Sequence, residues 1–222
     1  MTATKKRSYN DVCGLAHALE LVGERWALLV LRELAYGPKR FTDLRAGLPS
    51  ASPNVLSQRL RELEAAAVVR RRRLAPPAGS SVYELTEWGQ ELEPTLRDLG
   101  RWAARSPNFP EEGNMSPDSV AMSMQTMFDA AAADDLDALF ELRLGEDRFR
   151  MQVAEGRLDV SRGEAADAAG VIETTPPALV ELIYRDRKVA DAEQAGDLRI
   201  EGDRGAVMRF IGLFRLPDPV AV

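Results

Sequence analysis

One cysteine and one histidine in 222 residues remove several classes of chemistry at once. With Cys13 alone, no disulfide can close within the chain, and the composition suits a reducing compartment; a cytoplasmic protein is expected. His17 and Cys13 cannot complete a metal site without ligands from a second chain, so neither metal nor cofactor is expected. The two lie four residues apart and can share a helical face, where an imidazole would activate the thiolate. No third orienting group or oxyanion site accompanies them, and no glycine-rich phosphate loop occurs, so an enzyme is not expected. Cys13 is left as a redox candidate or as a thiol at a dimer interface. Long apolar runs are also missing. None nears the roughly 20 residues of a membrane span, and no apolar core follows Lys5, Lys6 and Arg7 as a signal peptide requires, so no membrane partner is expected.

What is present is an ordinary balance of 45% hydrophobic and 29% charged residues, enough to fold, on a chain long enough for two domains. The charge is unevenly placed. Residues 1–107 carry 17 Lys+Arg against 12 Asp+Glu, whereas 108–222 carry 12 against 23. A net charge of -6 therefore conceals a basic first half, the one suited to a polyanion. Proline and glycine gather between Arg105 and Pro117, which sets the expected organisation at 1–106 and 117–222 with a linker over 107–116.

The first half reads as four helices, a hairpin and a last helix. Asn10 or Asp11 can cap a helix to about Leu21; Trp26–Leu34 is apolar almost all round; Phe41 to about Ala46 is short; Ser52 caps and Pro53 opens a fourth helix to about Ala66. Leu56, Leu60 and Leu63 form the hidden stripe of that fourth helix, leaving Asn54, Ser57, Gln58 and Arg61 outward, with Ser52 able to lend amides to a phosphate. Two short helices joined by a tight turn make a helix-turn-helix, and Lys39 and Arg40 precede the first of them. Val68–Leu74 and Ser81–Leu85 flank the tip APPAGS as a β-hairpin wing. Its Arg70, Arg71, Arg72 and Arg73 alternate between faces, either as phosphate contacts or as a solvated edge that resists aggregation. From Thr86 a long helix, kinked at Pro94, carries Trp88, Leu92, Leu96, Leu99 and Trp102 at spacings of three or four. With Leu15 on the first helix, Leu92, Leu96, Leu99 and Trp102 are candidates for a homodimer contact, the alternative being packing on the second domain.

The Gly23-Glu24-Arg25-Trp26 block, Arg40-Phe41, Leu56-Ser57-Gln58-Arg59-Leu60 and Leu85-Thr86-Glu87 to Gly89 together resemble the HxlR-type winged-helix regulators from Cys13 to Trp102. The resemblance implies a homodimeric transcription regulator that binds double-stranded DNA on paired half-sites about 34 Å apart. An alternative from another class is a lipid carrier whose winged helix serves mainly for dimerisation.

In the second half, Ser116 and Pro117 open a helix with Val120, Met124, Met127 and Ala131 in a stripe and Phe128 beside it. Alternating runs around Phe140–Leu144, Phe149–Val153 and Leu158–Val160 predict antiparallel strands, followed by a strand to Thr174, a helix from Thr175-Pro176-Pro177, a strand over Leu198–Glu201 and a helix capped by Asp203. The fold class is α+β: a winged helix-turn-helix, mainly α with a β-hairpin wing, plus an antiparallel sheet backed by helices. The segments FELRLGEDRFRMQVAEGRLDVSRGEAADAAGVIETTPPALVELI and AGDLRIEGDRGAVMRFIGLF resemble the sterol carrier protein 2-like domain. That resemblance implies a cavity for an apolar small molecule or lipid, with Met124, Met127, Phe128, Phe149, Met151, Leu179, Leu182, Ile183, Met208, Ile211 and Phe214 as candidate lining; ordinary core packing is the competing account.

Overall fold

The computed structural model describes residues 8–76, 79–110 and 112–221. Two residues of the expected wing tip, 77 and 78, lie outside them, as does position 111 of the expected linker. Backbone packing divides the chain into two compact units, Met1–Glu93 and Pro94–Val222. The division falls earlier than the 107–116 linker expected from composition. The segment after Pro94 is tied to the second unit because the Arg101 guanidinium donates to the Thr126 carbonyl and the Val220 amide donates to the Arg105 carbonyl.

The first unit begins with α1 (Gly14–Val22) and α2 (Ala27–Leu34). Neither Asn10 nor Asp11 caps α1; Cys13 holds that position, and the Asp11 carboxylate, two residues earlier, accepts the Cys13 amide at 2.9 Å. Trp26 caps α2 in a left-handed conformation, φ 77°, so the helix starts one residue late, and Leu29 stays exposed. Then come α3 (Phe41–Gly47), α4 (Pro53–Ala65), and the hairpin of β1 (Val69–Arg73) and β2 (Ser81–Leu85). Leu31 and Leu34 of α2, Leu44 of α3, and Leu56, Leu60 and Leu63 of α4 are all fully buried and hold the three helices together. The long helix expected after Thr86 is broken rather than kinked, into α5 (Glu87–Gln90) and α6 (Glu93–Ala103). Pro94 has no amide to donate and its ring would strike the carbonyl four residues back, so α6 restarts with proline in its first turn. Gly89 is required at the foot of the wing. A Cβ there would stand 2.1 Å from the Val68 carbonyl oxygen. Thr86 closes the same corner by accepting the Gly89 amide and donating to the Ala67 carbonyl.

The second unit continues from α6 through α7 (Pro117–Met127), α8 (Ala130–Ala133), β3 (Ala138–Leu144), β4 (Asp147–Ala154), β5 (Arg157–Arg162) and β6 (Gly170–Thr174). It ends with α9 (Pro176–Tyr184), α10 (Val189–Gln194), β7 (Leu198–Gly202) and α11 (Arg204–Ile211). The strands lie in the order β5-β4-β3-β6-β7. The sheet is mixed, not purely antiparallel as expected, because β3 and β6 run parallel. A parallel neighbour needs a crossover, and here the segment 163–169 supplies it by passing over one face of the sheet. The Ala165 amide is anchored on Glu141 of β3 and the Ala169 amide on the Leu139 carbonyl.

The other face of the sheet is the core. Phe140 stacks on Phe210 with centroids 4.4 Å apart, Phe214 meets Phe210 edge-on at 5.1 Å, and Phe128 stands 6.2 Å from Phe214. Of the side chains considered as ligand lining, Met124, Met127, Phe149, Met151, Leu179, Leu182, Ile183, Ile211 and Phe214 are buried and Phe128 is half-buried. Met208 departs from the expectation, being 44% exposed. The inward stripe of α11 is Val207, Phe210 and Ile211, and Met208 sits about 100° off it. Gly202 has φ 82°, and a Cβ there would fall 2.5 Å from the Ala169 carbonyl oxygen, which explains glycine where β7 turns into α11.

Candidate nucleic-acid interface

Local chemistry places α4. Ser52 accepts the Val55 amide at its N-cap and Pro53 occupies the first position, so the leucine stripe fixes which side is turned outward. Ser52, Asn54, Gln58 and Arg61 are exposed and Ser57 is half-exposed. These groups are not equally available. Asn54 and Arg61 have no hydrogen bond or ion pair among the described residues, whereas Gln58 donates to Glu62 at 3.0 Å. Arg59 lies on the buried side, paired with Glu62 and 3.7 Å from Glu24; its Nε has no acceptor among the described residues.

The wing carries its four arginines exposed, two on each face. Arg70 and Arg72 each donate Nε to the Glu84 carboxylate at 2.7 Å. Burial opposes ionisation of Glu84, but the hydrogen bonds and charges of Arg72 and Arg70 outweigh it and hold its carboxyl below the usual range. That face therefore presents two guanidiniums and one carboxylate. On the other face, Arg71 lies 5.8 Å from the Tyr83 ring centroid and Arg73 donates to the Gly79 carbonyl at 3.1 Å. Arg40, at the N-cap of α3, is exposed and reaches Ser80 of the hairpin at 3.1 Å.

Lys39 departs from its expected role. Its backbone exchanges two hydrogen bonds with Tyr83, an isolated bridge to β2 of the hairpin, while its ammonium is turned inward to Glu33 at 2.9 Å. Glu33 is fully buried and takes Arg32 at 2.9 Å on its other oxygen. A carboxylate removed from water needs such cations, and that demand outweighs any pull from solvent on Lys39. Arg45, exposed on α3, was not anticipated; no periodicity distinguishes it from other surface arginines.

The apolar candidates for a dimer contact fall in two places. Leu15 on α1 is 70% exposed, and on α6 Leu99 and Trp102 are exposed while Leu96 is half-buried; Leu92, just before α6, is also half-buried. Cys13 is exposed at the N-cap of α1, where the amides of Ala16 and Leu15 lower its thiol pKa. Among the described residues no group of three or more His, Cys, Asp or Glu could hold a metal ion, and no helix is long and apolar enough to cross a membrane.

Residues 21–109 match the family described as HxlR-like helix-turn-helix. The chain is 36% identical over 94 residues to the HTH-type transcriptional regulator YvaP of Bacillus subtilis (strain 168), spanning 41% of this chain and 87% of YvaP. It is 35% identical over 95 residues to YodB of the same organism, spanning 42% and 85%. A structure of quinone-bound YodB shares 34% identity over 40% of this chain and 93% of that chain, with a TM-score of 0.36. Residues 112–220 match the family described as alkyl sulfatase C-terminal, and that description replaces the sterol carrier resemblance for the second half. The regulator reading is thereby favoured over the lipid carrier. The chain belongs to the HxlR-like helix-turn-helix family and is a DNA-binding transcriptional regulator.

Proposed function

We propose that the protein works as a homodimer that lays α4 in the major groove of each half-site and sets Arg40 and the wing arginines against the flanking phosphates. The observation that carries this reading is the outer stripe of α4, where Asn54 and Arg61 are exposed with no protein partner among the described residues. Asn54 and Arg61 are suited to bidentate contacts with adenine and guanine edges. The apolar side chains left open on α1 and α6, Leu15, Leu99 and Trp102, are assigned to the protomer contact. The second unit is read as a regulatory rather than a catalytic module, in keeping with relatives that are transcriptional regulators. An apolar effector entering between its sheet and helices would have to part Phe140 from Phe210 and Phe210 from Phe214, so no ligand is assigned to that core.

The test is a titration of duplex affinity against salt. Log affinity should fall linearly with log salt, and Arg71→Ala should weaken every duplex similarly while flattening the slope by about one unit. Affinity that does not respond to salt sinks the reading.

A second role is assigned to Cys13 because its exposed thiol sits at a helix N-cap with a lowered pKa. The reactive thiolate is populated at lower pH than for an ordinary cysteine, so alkylation by iodoacetamide should reach its half-maximal rate below the usual thiol midpoint. Diamide should reduce DNA binding by the wild type and leave Cys13→Ser unaffected; an equal response in both removes Cys13 from any switch.

A further inference from the structure

The crossover 163–169 leaves a groove of about 450 Å³ on the polar face of the second unit's sheet, lined by Glu141, Arg143, Arg148, Arg150 and Glu164, with Ala165, Ala166, Ala168 and Val171 supplying apolar surface. We propose that this groove binds a small organic monoanion, its carboxylate held by Arg148 and Arg150 and its apolar body lying on the alanines and Val171.

Strand register puts the arginines together. Arg143 and Arg148 are directly opposed on β3 and β4, and Arg150 opposes Glu141. Like charges facing one another across a strand pair cost stability unless something offsets them, and the fold supplies only part of the offset. Glu141 is buried at 3% exposure, accepts Arg143 Nε at 2.6 Å on one oxygen and the Ala165 amide at 2.6 Å on the other, and has Arg148 at 3.5 Å. It anchors the crossover and steadies Arg143 without saturating Arg148. Arg148 makes no hydrogen bond among the described residues; its ion-pair distances to Glu141 and Glu164 are both 3.5 Å. Arg150 spends one N–H on the Glu164 carbonyl at 3.0 Å.

The lining holds three guanidiniums against two carboxylates. Arg143 is also met by Glu173 of β6 at 4.0 Å, which leaves Arg148, without a hydrogen bond among the described residues, and Arg150, bonded only to a carbonyl, to take the ligand's carboxylate; a planar carboxylate suits the fork of a guanidinium. The surroundings sharpen the contrast, because residues 108–222 carry 12 basic against 23 acidic side chains, yet this face gathers three arginines in one groove. A volume of 450 Å³ lies in the range of small-molecule sites.

Calorimetry on the full-length protein without DNA tests this, using benzoate, its uncharged isostere benzamide, and inorganic sulfate. Benzoate should saturate one site per chain and benzamide should bind at least about tenfold more weakly. Arg148→Ala and Arg150→Ala should each weaken benzoate by about tenfold while melting as the wild type does. Arg199→Ala, on the same sheet face but outside the groove, should leave it unchanged. Equal binding of benzamide, or undiminished benzoate binding by both groove variants, overturns the site. Sulfate displacing benzoate at equal concentration overturns the organic body.

Discussion

Replacing Asn54 and Arg61 together with alanine is expected to abolish discrimination between a selected duplex and a random one, with specific affinity falling by roughly 2–6 kcal/mol while non-specific affinity drops far less. Each side chain that reads a base edge contributes about 1–3 kcal/mol. Both lie on the outer stripe of α4, seven residues apart and thus about two turns along one face. Neither has a partner among the described residues to surrender when it meets a base. Gln58, between them, must exchange its bond to Glu62 for any contact with DNA, so Gln58→Ala should cost less than either neighbour. The duplex would be obtained by selection from a randomised pool against the wild type, and affinities read by fluorescence anisotropy at fixed salt. If the double variant keeps the wild-type ratio of specific to non-specific affinity, α4 is not the reading element. A parallel fall of both affinities points instead to phosphate contacts, which position without specifying.

The parts of this fold that were legible in the sequence are those whose cause is local. Ser52-Pro53, Ser116-Pro117 and Thr175-Pro176 each place a hydroxyl where it accepts an amide three residues on, and a proline where no amide is needed. Those helices begin where the residues predict, and with α4 begun correctly its outer face followed from the leucine spacing. What was not legible depends on partners distant in sequence or on phase. Lys39 looks like a surface cation beside a helix-turn-helix until the end of α2 brings Glu33 beneath it. The parallel β3–β6 pair depends on where the crossover lands, which no alternation within a strand encodes. The arginine groove is hidden for the same reason: β3 and β4 read separately as half-polar strands, and only their register sets Arg143 opposite Arg148. Met208 leaves the expected stripe by phase alone, since a single step along α11 turns a side chain from core to solvent.

The carboxylate of Glu33 carries the other large expectation. It is fully buried and takes Arg32 on one oxygen and Lys39 on the other, and a Cβ at Gly47 would stand only 2.2 Å from it. It thus joins the end of α2, the segment at Lys39 that bridges to Tyr83 of the wing, and the end of α3. Glu33→Ala removes the acceptor for two largely buried cations and leaves space under Gly47, and should destabilise the first unit by about 3 kcal/mol. For a unit of this size that corresponds to a fall in melting temperature of roughly 12–24 °C. Because the same residue tethers Lys39, the loss should extend to the wing, and hydrogen exchange at the Lys39 and Tyr83 amides should accelerate even below the melting transition. Buried ion pairs are often replaceable by apolar side chains of similar size, so Glu33→Leu combined with Lys39→Met should recover much of what Glu33→Ala loses. A melting temperature unchanged in Glu33→Ala would show that α2, α3 and the wing are held by their leucines alone. Full destabilisation persisting in the double variant would instead place the requirement on the charge itself, through Arg32.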